Sequence, residues 1–296
     1  MITRPHLGLI LPNYGKAIDP EVLASAALAA EEVEFDSVWV TDHLVVPSEM
    51  APVYGRITEA LVSLGFLAGR TARIRLGVSA LIVPARNPVV TLKQVTSLDF
   101  LSHGRLIVAV APGWLSGEFA TLGAEFEGRG ARLDEWLALV RSAFDQMPGP
   151  IHHGGAIPIE DAWLAPELAR SGGPEIWVAG GGDAALRRAV RSGVWHPVAL
   201  RPSEVADLAV RLRERRADGR VVLRLSTLFS DKADRDGTDE RGRHAVVGPP
   251  GWIAERLAEY IAAGCDGFVV NLDHEAPALA ERIRRFATDV WPVVVG

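Results

Sequence analysis

From Arg73 to Glu135 the chain reads RIRLGVSALIVPARNPVVTLKQVTSLDFLSHGRLIVAVAPGWLSGEFATLGAEFEGRGARLDE, and this succession narrows the available folds more than any other stretch. An apolar run from Leu76 to Val83 is broken by the segment from Pro84 to Pro88. An amphipathic helical pattern then carries to Phe100 and stops at Ser102, His103 and Gly104, and a second apolar run follows from Leu106 to Val110. Apolar runs of this length bounded by Pro and Gly read as buried strands, and a helix between two of them makes a β-α-β unit. Strands joined by such a crossover lie parallel.

The pattern repeats along the whole chain. Strands are expected at Leu7–Leu11, Ser37–Thr41, Ile74–Ile82, Leu106–Val110, Glu175–Ala179, Val194–Ala199, Val221–Leu228 and Gly267–Leu272. Helical patterns lie between them at Pro20–Val33, Glu59–Gly69, Pro88–Phe100, Arg132–Phe144, Asp183–Ser192, Pro202–Ala217 and Gly251–Ala263, with a last one at Pro277–Val290. Eight strands alternating with eight helices favour an α/β fold of the (β/α)8 TIM-barrel class, one domain over residues 1–296, rather than an open sheet. Three connections are longer than such turns need: His43–Thr58, Gly113–Gly130 and Met147–Gly173. The first two leave the C-terminal ends of strands two and four, where barrels place their sites. The third is expected to hold an extra strand near Ile151–His153 or Ala156–Ile159. A fourth segment, Ser230–Gly248, is polar enough to read as a lid or as disorder.

The 296 residues are 48% hydrophobic and 23% charged, ample for one large core, and the formal charge of -6 argues against a phosphate-backbone surface. The arginine-rich pieces Arg211–Arg216 and Arg282–Arg285 sit in helical patterns that also contain acids, so they read as solvated faces. A lone cysteine, Cys265, and the lack of a long apolar span point to a cytoplasmic protein that binds neither nucleic acid nor membrane.

Several residues can carry chemistry. His43 follows strand two directly, and an imidazole exchanges a proton near neutral pH. Asp42 beside it either orients the ring or caps the loop. The run Ala179, Gly180, Gly181, Gly182, Asp183 joins strand five to a helix, which suits an anionic cofactor group because glycines let backbone N–H groups approach it at a helix N-terminus. The competing reading is a tight turn with Asp183 as helix cap. Arg187 lies one turn on and would assist the anion, whereas Arg188 reads as surface. Tyr54, Trp114 and Trp195 are candidate walls of a substrate pocket or else packing residues. Glu118 would order the Trp114 loop. His152 and His153 are adjacent, without carboxylate or thiol companions, so no metal site is expected.

The linked motifs V-P-x-R-N-P (Val83 to Pro88), L-D-x-L-S-x-G-R (Leu98 to Arg105), P-G-W-x-x-x-E-F-x-x-L-G (Pro112 to Gly123) and R-G-x-R-L-D-E (Arg129 to Glu135) resemble the luciferase-like oxidoreductases, especially the branch that uses the deazaflavin coenzyme F420. The resemblance continues at Ser37–His43, Ile176–Arg188, Trp195–Pro197 and Gly248–Phe268. It implies a barrel, a functional histidine at His43, and a cis peptide at Ser79–Ala80 bulging toward the cofactor ring. It places Pro112 and Gly113 at the ring and Ala179, Gly180, Gly181 and Arg187 at the phosphate. Departures are visible: Ala109, Ala111 and Pro112 stand where the family reads G-x-G-x-G-W, Ser192 replaces an acidic residue before Gly193, and Trp114 occupies the place of the glutamate found in the sugar-phosphate dehydrogenases. Three readings follow: hydride transfer between F420 and a small, partly apolar organic substrate; an FMN-dependent monooxygenase served by a flavin reductase; or a non-catalytic, degenerate member. A reductase for F420 or flavin and a second copy of the chain are the expected partners, besides the small-molecule substrate.

Overall fold

A computed structural model describes residues 4–231, 235–239, 241–273 and 278–296. Eight strands alternate with helices as the elements of a (β/α)8 barrel. They are β1 (His6–Ile10), β2 (Ser37–Val40), β3 (Arg75–Ile82), β4 (Leu106–Ala111), β5 (Glu175–Ala179), β6 (Val194–His196), β7 (Arg220–Phe229) and β8 (Gly267–Asn271). Each lies within three residues of its expected limits. Two of the helices show the expected boundary signals. Asp19 accepts from the N–H groups of Glu21 and Val22 at the start of helix Pro20–Glu32, and Asn87 accepts from those of Val89 and Val90 with Pro88 in the first helical position. Helix Pro88–Leu101 ends where Gly104, at φ +77°, donates its N–H to the carbonyl of Asp99.

The contacts fall into two compact units. The first comprises residues 1–12, 16–39 and 177–296. Within it β1 pairs in parallel with β8 and β2, β8 with β7, β7 with β6, and β6 with β5. Its core holds Trp39, Trp177 and His196, with Trp39 4.8 Å from Trp177 and stacked at 5.4 Å on His196. A Cβ on Gly8 would fall 2.5 Å from the Trp39 indole nitrogen, so glycine is required at that point of β1. Burial pushes the His196 imidazole down to about 4, and its Nδ1 donates to the Val222 carbonyl.

The segment Ser230–Gly248 departs from the lid or disorder expected of its polarity. Residues 232–234 and 240 are outside the described set, but Arg235–Thr238 pairs antiparallel with His244–Gly248, which joins β7 in parallel. The buried Asp239 accepts from the backbone of Arg241 and Arg243 and pairs with the Arg243 guanidinium, closing the turn by charge. The last helical region also differs. Pro277, its expected start, is outside the described residues, and Leu279–Arg285 passes through a π turn into Trp291–Val295.

The second unit comprises residues 13–15 and 40–176. There β3 pairs in parallel with β4, and their register shifts between Val78 and Leu81. Gly149–His153 and Ile159–Leu164 form an antiparallel hairpin, so the long connection holds two strands where one was expected. Among the described residues no helix is long and apolar enough to cross a membrane.

Candidate active site

His43 leaves β2 and is 4% exposed. Its Nδ1 lies 2.8 Å from Oε2 of Glu118, whose Oε1 accepts the Leu44 N–H at 2.7 Å. Glu118 is in the short helix Ser116–Thr121 of the connection after β4. Two aromatic rings flank the imidazole. Tyr54, at the end of the short helix Ala51–Tyr54, is 4.5 Å away, and Trp114 meets it edge-on at 6.1 Å. Tyr54 is buried, while Trp114 remains 57% exposed. His43, Tyr54 and Trp114, expected at the site, are therefore gathered into one cluster. Nε2 has no protein partner among the described residues.

Asp42 neither orients this ring nor caps the loop, the two roles its position suggested. Its Oδ2 accepts the Ile82 N–H at 2.9 Å, and its Oδ1 pairs with the Arg86 guanidinium at 2.6 Å. Arg86 reaches Glu59 as well, at 2.8 Å, and Glu59 caps helix Ala60–Ala68 through the Val62 N–H. One buried arginine thus binds the end of β2, the end of β3 and a helix start. Burial raises the Asp42 carboxyl above its ordinary range, and the Arg86 charge opposes that rise.

Asp42 also anchors the residues after the β3 irregularity. The Ser79–Ala80 peptide is cis, as expected, and these two residues lie within the register shift against β4. Ser79 is buried and Ala80 partly exposed. Pro112 and Gly113 continue β4. Gly113 has φ +81°, and a Cβ there would meet Ile82 at 2.7 Å and Phe119 at 2.8 Å, so packing alone requires glycine. Its carbonyl accepts from Arg129, which stacks 3.7 Å above Phe126.

In the first unit, Ala179 ends β5 and the helix Gly182–Ser192 starts with Gly181 as N-cap, not Asp183, and with no side-chain cap. Gly180 and Gly182 have φ +100° and +76°, and a Cβ at Gly180, Gly181 or Gly182 would meet nothing within 4 Å. The turn therefore offers uncapped backbone donors toward open space, the arrangement an anion needs. Asp183, in the first turn, pairs with Arg211. Arg187 is exposed. Arg188, expected at the surface, is buried. Trp195, expected in a pocket wall, is fully buried, with its indole nitrogen donating to the Gly180 carbonyl at 2.7 Å. It supports the glycine turn from beneath.

Sequence reasoning missed the Glu118–His43 pair and the Arg86 hub. The first carried a signal in the P-G-W-x-x-x-E spacing, read as ordering the loop; the second lay within V-P-x-R-N-P, read as a breaker.

Comparison with known proteins agrees with this architecture. The chain is 32% identical over 212 residues to a phthiodiolone/phenolphthiodiolone dimycocerosates ketoreductase of Mycobacterium kansasii, covering 66% of this chain and 58% of that protein. The match thus spans less than two thirds of that relative's length. An F420-dependent glucose-6-phosphate dehydrogenase of Amycolatopsis mediterranei is 37% identical over 126 residues, 41% of this chain and 37% of that one. The structure of an F420-dependent secondary alcohol dehydrogenase in complex with an F420-acetone adduct superposes with a TM-score of 0.81 at 16% identity, covering 99% of both chains, a likeness of fold. The family model described as luciferase-like monooxygenase matches residues 8–235, and the chain belongs to that oxidoreductase family.

Proposed function

We propose that the chain transfers hydride between reduced coenzyme F420 and a small, partly apolar organic substrate, with His43 as the proton-carrying group. The observation that carries this reading is the buried His43, held by Glu118 through Nδ1 and walled by Tyr54 and Trp114, with Nε2 left for a substrate oxygen. When bound, the deazaflavin would supply or accept the hydride. The chain's part is to hold substrate against aromatic walls, limit water, and give or take one proton at Nε2.

The residues present fit such a cofactor. The glycine turn has uncapped donors and room in front of it, so Ala179, Gly180, Gly181 and Arg187 are assigned to a phosphate. Ser79, Ala80, Pro112 and Gly113 are assigned to the ring, the first two small and lying in the β3 register shift. The deazaflavin-dependent and ketone-reducing relatives support this choice. Trp114, standing where sugar-phosphate dehydrogenases carry glutamate, speaks against that activity. A second reading, an FMN-dependent monooxygenase fed by a flavin reductase, is favoured by the family's own description. We place the protein in the cytoplasm, with a homodimer as its expected assembly.

The test is titration of the purified protein with F420 and with FMN, together with turnover of His43→Ala. F420 binding and a 10²–10⁴-fold loss of turnover are expected. Binding of FMN alone selects the monooxygenase, binding of neither selects a degenerate member, and full activity of the variant removes His43 from the chemistry.

A further inference from the structure

Glu118 is 1% exposed, and both its oxygens are committed to consecutive residues past β2. Oε1 accepts the Leu44 backbone N–H at 2.7 Å, and Oε2 lies 2.8 Å from the His43 Nδ1. Oε1 acts as an acceptor toward the Leu44 N–H, which fits a carboxylate whose two oxygens both accept, so the hydrogen between Oε2 and Nδ1 belongs to the ring. An ionised carboxylate has no hydrogen to give, and Nδ1 must then be the donor.

We infer that Glu118 is the positioning residue of the site: it fixes His43 as the Nδ1–H tautomer and so makes Nε2 the atom that accepts a proton. The inference rests on the reading of His43 as the proton-carrying group only for its functional meaning; the tautomer itself is a property of the fold. Among the described residues no other carboxylate is paired with the ring. Tyr54 and Trp114 meet the ring as aromatic faces and edges, and Asp42, adjacent in sequence, has one oxygen on the Ile82 N–H and the other on Arg86. The residue type follows from the count of donors. Leu44 N–H and His43 Nδ1–H both need acceptors, and the two oxygens of a carboxylate serve both at once. Glutamine offers one oxygen and one amino group. Once its oxygen takes the Leu44 N–H, its NH₂ faces Nδ1, which must then accept, and the hydrogen moves to Nε2. The cost of burying a carboxylate is offset by two short bonds to it.

The experiment uses the full chain labelled with ¹⁵N-histidine, without cofactor, and long-range ¹⁵N–¹H correlation spectra of the neutral ring, with the His43 signals assigned by their loss in His43→Ala. Wild type is expected to show a protonated Nδ1 and an unprotonated Nε2, and Glu118→Gln to carry its hydrogen mainly on Nε2. Glu118→Asp, which keeps the carboxylate, is expected to retain the Nδ1–H form. A wild-type ring with its hydrogen on Nε2 overturns the assignment even if neither variant folds, and so does an unchanged tautomer in folded Glu118→Gln. Tautomers that behave as stated beside a fully active His43→Ala would uphold Glu118 and overturn the functional reading instead.

Discussion

The indole nitrogen of Trp195 donates to the carbonyl of Gly180 at 2.7 Å, so a fully buried aromatic residue of β6 fixes the first glycine of the turn that follows β5. The carbonyl points inward to the indole. The next two residues are free to present their backbone elsewhere, and Gly181, with φ of -111°, is one whose conformation any residue can adopt.

That last point makes Gly181→Val a clean probe. A Cβ at this position meets nothing within 4 Å, so the variant is expected to fold with stability within about 0.5 kcal/mol of wild type in urea titrations. Cofactor affinity should fall at least tenfold, about 1.4 kcal/mol, because the new methyl groups occupy the space in front of the uncapped helix start. An unchanged Kd in the folded variant would remove the turn from the binding site.

The Arg86 hub predicts a different outcome for Arg86→Met. The Asp42 and Arg86 side chains are 0% and 7% exposed, so the substitution strands a buried carboxylate. A loss of about 3–5 kcal/mol is expected at neutral pH. Burial already raises the Asp42 carboxyl, and without Arg86 only the Ile82 N–H opposes that rise. The folded variant would then hold the proton to higher pH than the unfolded chain, so its deficit should shrink as pH falls toward the carboxylate range. Urea denaturation of both proteins across pH tests this, and a pH-independent deficit would contradict it.

His196 supplies the opposite dependence. Its folded value of about 4 lies below the ordinary imidazole value of 6.5, so below 6.5 the unfolded chain binds a proton that the folded chain refuses. Its contribution is intact above pH 6.5 and is lost as pH falls toward 4, by about 3 kcal/mol in all. His196→Asn, whose amide can still donate to the Val222 carbonyl, should flatten that slope relative to wild type. Parallel slopes for the two proteins would show that another group carries the acid sensitivity.

The sequence by itself determined the eightfold alternation, because strands buried on both faces leave unbroken apolar runs and helices such as Pro88–Leu101 are bracketed by local signals, here Asn87 and Gly104. It also placed His43, since a residue just past a barrel strand is located by counting, and the Ser79–Ala80 pair, since the family motifs align around it. What it left open is which charged group meets which. Glu118 lies 75 residues beyond His43 and Arg86 lies 44 beyond Asp42, and nothing local in either motif names a partner. The pairing arises only when the connections after β2 and β4 pack together and each buried carboxylate takes the nearest donors that satisfy it. The same holds for Trp195, whose burial against Gly180 follows from the parallel pairing of β5 with β6. Hydrophobic periodicity and capping act over a few residues and can be read along the chain, whereas ion pairing and aromatic contact act across space and were decided by the fold.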